Sequence, residues 1–349
     1  MARRVVGLDV GAESVRAAQL LFTAKGEAIV EKVGEVPLPE GIMEGGEVSD
    51  QEGLARVLLK FWEDLDFKTH HVVIAANSMH VFARELSVPV MSMQRVRESL
   101  HFLMEGVLPV PPEQLYLDFY PIEERTEESG PVFQGLAVAA DRNSVEVLVD
   151  AVAKAKLRPM AVDFIPFALL RVRSKAEFEG ETVALIDMGA GATNVLIARG
   201  SVPLFVRIIP VGGKDLDQAL MYALKLTAEE ATIAKMNITA DGKSKADQEV
   251  RAVIENQTAE LVANLKNTFE YFGQSRPADR ANISRILLSG GAAMTLGVPE
   301  AVEAGLGIPV TFITKLEHVK KADSLHINDE RLSHMALAIG LALGEAQNG

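Results

Sequence analysis

The chain has 349 residues, of which 48% are apolar; it carries a formal net charge of −13 and contains no cysteine. The apolar content supports a sizeable core. The acidic balance argues against nucleic-acid binding, which needs clustered lysine and arginine. The missing cysteine excludes disulfides and thiolate metal sites. Asp9 and Glu13 interrupt the first apolar run, and no run reaches the roughly 20 residues of a membrane-spanning helix. We therefore expect a soluble cytoplasmic protein.

The first half of the chain opens with VVGLDVG, a buried strand that ends in a tight glycine turn, and continues with a second strand, SVRAAQLL. Helical spacing of apolar residues predicts helices over 52–65, 92–108 and 143–157, with a proline cluster ending the second. The remaining predicted strands are HVVIAAN, EQLYLDFYPI, PVFQGLAVAA and RPMAVDF, and EERTEESG is predicted to be an acidic turn.

The second half restarts the same pattern. VALIDMG, NVLIARG and PLFVRIIPVGG predict three strands in a meander. Helices are predicted over 213–224, 228–236, 247–272 and 331–343, with the strands RILLSGG and IPVTFI before the last of them. Each half thus begins with strand, glycine turn and strand, which predicts an α/β chain of two related domains.

The two glycine turns share one short motif, Asp-x-Gly-Ala, with Asp9 and Asp187 as its acidic residues. Glycine lets successive backbone N–H groups form a concave nest that suits phosphate. An aspartate beside the nest would repel bare phosphate, so it calls for a cation, and Mg²⁺ fits because it binds carboxylates, water and phosphate oxygens together. One such turn alone is usually plain turn chemistry. Two in matched context predict a clamp for a polyphosphate and its metal.

Two further glycine motifs support this interpretation. Ser289-Gly290-Gly291-Ala292 follows the strand RILL, where a backbone can pass close to a flat ring or a sugar. The segment 210–213 (PVGG) ends a strand and opens a helix, where we expect N–H groups free to bind an anion. Either motif by itself is equally well explained as an ordinary turn.

The order DVGAESVR, IDMGAGATN, IPVGGKDL and LLSGGAA resembles the actin-like ATPase superfamily, which includes actin, the Hsp70 ATPase domain and FtsA. Within that superfamily, the chain resembles the PilM family of type IV pilus assembly. The resemblance rests on four segments: GLDVGAESVR, LHFLMEGVLPVPPEQLYLDFY, VEVLVDAVAKAKLRPMAVDFIPFAL and RLSHMALAIGLALG.

The resemblance implies an actin-like (ribonuclease H-like) fold with four subdomains. Subdomain 1A would comprise 1–81, 158–178 and 331–349, and subdomain 1C the insertion 82–157. Subdomain 2A would comprise 179–226 and 283–330, and subdomain 2B the residues 227–282.

The resemblance also implies that ATP and Mg²⁺ bind between the two domains, with Asp9 and Asp187 holding the metal through water. The first phosphate loop would contain Gly11, Ala12, Glu13, Ser14 and Arg16. The second would contain Gly189, Ala190, Gly191 and Thr193, with Gly212 and Gly213 approaching the phosphates. Gly290, Gly291 and Ala292 would lie along the adenosine, and Glu230 and Lys235 would reach the ribose or base.

Two residues depart from that family pattern. Ala12 stands where serine or threonine is frequent, which removes a hydroxyl contact, and Arg16 stands where lysine is frequent, which replaces a point charge by a planar fork. No residue is assigned as a base that activates water. Nucleotide binding with weak or no hydrolysis and an active ATPase therefore both stay open. The seven histidines show no metal-ligand spacing.

The expected partner is the apolar N-terminal tail of a PilN-like membrane protein, which the resemblance implies docks between 1A and 1C. We expect it along a strip from about His80 to Leu108 and at the edge of 1A. The closing helix lacks the basic amphipathic tail of FtsA-like proteins, so membrane attachment is expected only through a partner. A self-associating, filament-forming FtsA- or MreB-like protein and an actin-superfamily small-molecule kinase stay open as alternatives.

Overall fold

The computed structural model describes residues 2–76, 81–108, 110–128, 130–173, 180–238, 244–275, 282–313, 316 and 319–344. The chain divides into two compact units. The first comprises Met1–Lys175, Ser201–Arg207 and Lys315–Gly349, and the second comprises Ala176–Gly200 and Ile208–Thr314. Within the residues described, no helix combines the length and the apolar character needed to cross a membrane.

The chain contains both strands and helices along its whole described length. Up to residue 172 they are β1 (Arg3–Val10), β2 (Ser14–Phe22), β3 (Ala28–Pro37), β4 (Met43–Glu44), β5 (Glu47–Val48), α1 (Gln51–Leu65), β6 (His71–Ala76), β7 (Val81–Pro89), α2 (Met93–Leu103), β8 (Leu115–Glu127), β9 (Gly130–Asp141), α3 (Arg142–Lys154), β10 (Arg158–Phe164) and α4 (Ile165–Val172). Thereafter they are β11 (Thr182–Met188), β12 (Thr193–Arg199), β13 (Val202–Ile209), α5 (Gly213–Leu224), α6 (Ala228–Asn237), α7 (Lys245–Gln274), β14 (Ile283–Ser289), α8 (Val298–Leu306), β15 (Val310–Phe312), β16 (Lys320–Lys321), α9 (Asp329–His334) and α10 (Ala336–Gly344).

The first unit is built on a six-stranded sheet in the order β10–β6–β1–β2–β3–β16. Strands β1, β2 and β3 form an antiparallel meander, and β6 and β10 add to it in parallel with β1. The end of β1 is wholly buried, because α10 packs against β1, β2 and α4 with an almost entirely apolar sequence. This layer fixes where β1 ends and therefore where the first glycine turn lies.

The insertion predicted within the first half forms a separate three-stranded sheet in the order β7–β9–β8. It has its own apolar core, in which Val88, Val96, Leu100 and Phe119 are buried. The predicted acidic turn is wrong in extent, because β8 and β9 run through most of it as a long antiparallel hairpin. Pairing with the neighbouring strand keeps these polar residues extended, although their sequence lacks the alternation of apolar residues that predicts a strand.

The second unit repeats the architecture of the first. Its sheet has the order β13–β12–β11–β14–β15, with an antiparallel meander followed by two parallel strands. The first sheet has the same sequence of connections in β3–β2–β1–β6–β10. The predicted α/β fold with two related halves is therefore confirmed.

Several elements differ from the sequence-based expectation. Helix α2 ends at Leu103 rather than at residue 108, because a turn with Gly106 at a φ of 72° follows it. The single closing helix is wrong, since Met335 breaks it into the short polar α9 and the buried apolar α10. Strands β3 and β7 were not predicted. The four-subdomain division stays a prediction. Lys320 and Lys321, which it assigns to subdomain 2A, pair with β3 of the first sheet.

Candidate functional site

The first glycine turn joins β1 to β2 and is closed by one backbone hydrogen bond, from Gly11 N to Ser14 O at 2.9 Å. Asp9 lies directly opposite Arg16 in the strand pairing and is 3% exposed. The Asp9 carboxylate is therefore buried at the strand end, beside the turn, as the sequence predicts. Ala12 of the turn is half-buried and Glu13 is exposed.

The predicted phosphate-loop side chains Ser14 and Arg16 belong to a polar cluster that extends to Glu35 on β3. Arg16 donates from Nη1 to Asp9 Oδ2 (3.3 Å) and from Nε to Glu35 Oε1 (3.0 Å). The Ser14 hydroxyl donates to Glu35 Oε1 (2.9 Å), and His334 Nε2 lies 3.1 Å from Glu35 Oε2. Glu35 therefore links β3 to β2 and to α9, and Arg16 extends the cluster to Asp9 on β1.

These contacts keep Glu35 ionised. The hydrogen bond to His334 is the largest influence, opposed by burial and reinforced by the charge of Arg16, and together they lower the pKa of Glu35 from 4.5 to about 2. The carboxylate is thus negatively charged at neutral pH beside the first turn.

The second glycine turn joins β11 to β12 and copies the first. Gly189 N donates to Ala192 O at 2.9 Å, and Asp187 lies opposite Asn194 in the strand pairing. Asp187 is 8% exposed and accepts a hydrogen bond from the Ser289 hydroxyl (2.8 Å) at Oδ1. The two aspartates therefore occupy the same position in the two repeats.

The loop before α5 lies against this second turn. Gly213 N donates to Gly189 O (2.9 Å) and Lys214 N to Ala190 O (2.8 Å), while Gly212 N donates to Asp215 Oδ2 (2.7 Å). The expectation that these N–H groups are free for an anion is therefore wrong, because the turn and the first helical residues already accept them. A Cβ on Gly212 would lie 2.6 Å from the carbonyl oxygens of the turn, so only glycine permits this approach. Proximity of Gly212 and Gly213 to phosphates stays a prediction.

The glycine pair after β14 lies beside the end of β11. Gly290 has a φ of 90°, and a Cβ there would lie 2.3 Å from Met188 O, so glycine is required on both counts. Gly291 and Ala292 begin a short 3₁₀ turn, with Ala292 buried. The predicted adenosine residues are thus brought to the second turn, although their contact with a nucleotide stays a prediction.

Lys235 and Glu230, both on α6, have different environments. Lys235 Nζ donates to Gly213 O (3.2 Å) and to the buried Asp217 Oδ2 (2.7 Å), and it would lie 3.7 Å from a Cβ on Gly213. Lys235 is therefore held at the start of α5, which lies against the second turn. Glu230 instead caps its own helix, where it accepts from Thr227 N (2.8 Å), and this bond lowers the Glu230 pKa.

Sequence reasoning missed several polar residues of the site, and one of them, Asn194, had a detectable signal. Asn194 stands seven residues after Asp187, as Arg16 stands seven after Asp9, so aligning the repeats would have found it. Glu35 lies opposite Arg16 in the β2–β3 pairing, and an unpredicted β3 concealed it. Asp217 and His334 had no such signal, because only tertiary packing brings them to their partners.

The fold, a strand-turn-strand unit repeated in two related sheets, is of the actin-like ATPase class. Residues 7–346 match the family described as type IV pilus assembly protein PilM, so the chain belongs to that family.

Individual similar proteins agree with this assignment at the level of the fold. A chain of the structure entitled PilM-PilN type IV pilus biogenesis complex superposes with a TM-score of 0.84 at 24% identity, covering 98% of both chains. MreB5 of Spiroplasma citri bound to AMPPNP superposes with a TM-score of 0.57 at 13% identity, covering 99% of this chain and 97% of that one. Cell division protein FtsA of Bacillus subtilis (strain 168) is 23% identical over 254 residues, which are 67% of this chain and 57% of FtsA. The chain thus matches little more than half the length of that relative.

Proposed function

We propose that this PilM-family chain is a scaffold that binds Mg-ATP through its two glycine turns and holds the N-terminal tail of a PilN-like inner-membrane protein. The observation that carries the nucleotide proposal is the matched pair of turns. Each is closed by the same 2.9 Å backbone bond, and each follows a buried aspartate at the end of a strand.

The two carboxylates beside these turns suit Mg²⁺ that is bound together with a nucleotide. Among the residues that the structure describes, no group of three or more histidine, aspartate or glutamate side chains is arranged to hold a metal ion. Mg²⁺ bound with a nucleotide needs only one or two carboxylates, with water and phosphate oxygens completing its shell. Asp9 and Asp187 would supply the carboxylates, and the ion would neutralise the phosphate charge beside them.

Calorimetric titration of Mg-ATP into the full chain and into Asp187→Asn tests this proposal. The substitution keeps the side-chain volume and removes the charge, so we expect affinity to fall by about tenfold or more. Ser289→Ala is the matched control, because it removes the hydroxyl donor to Asp187 and leaves the carboxylate. Equal affinities in the unchanged chain and in Asp187→Asn would refute the metal role of Asp187. Phosphate release measured in the same samples separates a scaffold from an ATPase.

Within the part of the chain that the structure describes, two outer strands of the first unit support the docking of an extended tail. Strand β10 is the outer strand of the six-stranded sheet, and β7 is an outer strand of the insertion sheet. Met160 and Val162 on β10 are 52% and 38% exposed, and Phe102 on α2 is 74% exposed. An apolar extended peptide would gain ladder hydrogen bonds and side-chain contacts at such an edge. His80, the first residue of the predicted strip, lies outside the described residues.

A charged substitution on β10 tests this placement. We expect Val162→Lys to weaken binding of a synthetic apolar PilN-type tail by about tenfold or more, because a buried ammonium would lack a partner. Val202→Lys is the control, since Val202 is a strand valine of similar exposure, 36%, on β13. Phe102→Glu tests the alternative surface on α2. If Phe102→Glu weakened binding of the tail and Val162→Lys did not, the docking surface would be α2 rather than the sheet edge. If neither did, both placements would fall.

The same partner would determine where the chain resides. We propose a cytoplasmic position at the inner membrane, held there by the partner's tail. Cell fractionation tests this, because Val162→Lys should then move the chain from the membrane fraction to the soluble fraction while Val202→Lys does not.

A further inference from the structure

Beside the first turn, Arg16 on β2 lies between two carboxylates, Asp9 on β1 and Glu35 on β3. Asp9, Arg16 and Glu35 lie directly opposite one another across β1, β2 and β3. The Arg16 guanidinium contacts Asp9 through Nη1 at 3.3 Å and Glu35 through Nε at 3.0 Å. Because the two contacts use different nitrogens of one planar fork, either can be lost while the other is kept.

The two carboxylates differ in their other surroundings. Glu35 is also anchored by the Ser14 hydroxyl, by His334 and by Arg331 Nη1 at 3.7 Å. Asp9, with 4% of its side chain exposed, is the more deeply buried of the two. A buried carboxylate is costly without a compensating positive charge, and Arg16 supplies one in the structure described.

A divalent cation at Asp9 would compete with this guanidinium for the same carboxylate. It carries twice the charge, so it would displace Arg16 Nη1 from Asp9 without breaking the bond from Arg16 Nε to Glu35. The terminal nitrogens of Arg16 would then be available to donate to phosphate oxygens, as arginine does bidentately.

We infer that Glu35 is a positioning residue for Arg16: it retains the guanidinium at the first turn while Arg16 exchanges Asp9 for an anionic ligand. This inference rests on the proposed binding of Mg-ATP. It assigns Arg16 two successive partners, the buried Asp9 before ligand binding and the phosphates afterwards. Without Glu35, Arg16 would have Asp9 as its remaining carboxylate partner in this row and would compete more strongly with the metal.

Glu35→Gln and Glu31→Gln form a matched pair of variants. Glu31 is also on β3, pairs with an arginine of β1 (Arg4 Nε, 2.7 Å) and has a side chain 19% exposed, against 21% for Glu35. Each variant removes one carboxylate charge from a strand-to-strand ion pair, and only Glu35 contacts the first turn. Mg-ATP affinity is measured by calorimetry on the full chain, and the Mg²⁺ concentration that gives half-maximal ATP binding is determined for each variant.

We expect Glu35→Gln to weaken Mg-ATP binding by about tenfold or more and to raise the half-maximal Mg²⁺ concentration, with Glu31→Gln unchanged in both. Adding Arg16→Gln to Glu35→Gln should lower the Mg²⁺ requirement again, because the competing cation is gone, while ATP affinity stays low. A loss of thermal stability in Glu35→Gln is expected in either case. If the cluster were merely structural, neither the ATP affinity nor the Mg²⁺ requirement of this variant would change.

Arg16→Lys provides a second test should Glu35→Gln fail to fold. A lysine ammonium cannot hold Glu35 through one nitrogen and Asp9 through another, so the Mg²⁺ requirement should shift although the charge is kept. An unchanged affinity and Mg²⁺ requirement in a folded variant would overturn the inference while leaving ATP binding intact. Absence of Mg-ATP binding by the unchanged chain would overturn the proposed function and this inference together.

Discussion

Acid should weaken the first unit through Glu35. The pKa of Glu35 falls from 4.5 to about 2 on folding, which corresponds to about 3 kcal/mol, and we reduce this to about 2 kcal/mol because 21% of the side chain is exposed. A lowered carboxyl pKa contributes stability that is complete above the unfolded pKa and is lost as the pH falls from about 4.5 towards 2. We therefore expect Glu35→Gln to be less stable than the unchanged chain by about 2 kcal/mol at pH 7. By pH 3.5 that difference should shrink by roughly two fifths.

The fluorescence of the single tryptophan reports the unfolding of the first unit, which contains Glu35. Trp62 on α1 is buried in the first unit, and its indole N–H donates to Thr69 O at 2.9 Å. Its fluorescence during urea unfolding, recorded at pH 7, 5, 4 and 3.5, gives the stability difference between chain and variant. Asp64→Asn is the control, since the exposed Lys60–Asp64 pair contributes little to stability. A difference between Glu35→Gln and the unchanged chain that stays constant from pH 7 to 3.5 would refute the reasoning.

Three further substitutions probe the second unit by urea or thermal unfolding. Gly290→Ala should cost at least about 2 kcal/mol, because it strains a φ of 90° and places a Cβ 2.3 Å from Met188 O; an unchanged unfolding midpoint would contradict the close approach. Lys235→Met should lower the free energy of unfolding by about 3 kcal/mol, since it leaves the buried Asp217 without its ion-pair partner. The double variant with Asp217→Asn should recover part of that loss. If the losses of the two single variants simply added in the double variant, the 2.7 Å pair would not be coupled. Thr227→Ala should cost about 1 kcal/mol by removing the N-cap of α6, and Thr227→Ser should restore it; equal loss in both would exclude the hydroxyl as the cause.

The two glycine turns were predictable because they are local. An apolar run, an aspartate and a glycine specify a buried strand and its turn within about ten residues, and the repeat of Asp9 at Asp187 revealed the duplication. The repeated strand order of the two sheets follows from that duplication. Family membership was accessible for the same reason, since the motifs that carry it are short and continuous.

The network around the turns was not predictable from local patterns. Glu35 and His334 are 299 residues apart in the chain, and they meet because tertiary packing brings the end of α9 to β3. The loop at Gly212 has the composition of an anion site, yet its N–H groups bond to the second turn, since backbone donors buried in a fold are satisfied wherever an acceptor is near.

The sequence by itself determined the fold class, the duplicated turns and the position of both buried aspartates, because spacing along the chain encodes local conformation and burial. Only the tertiary structure decided which charges meet those turns: Arg16 between Asp9 and Glu35, and Lys235 against Asp217. The energy of a charged group depends on the atoms around it in three dimensions, and sequence spacing does not record which distant elements supply them.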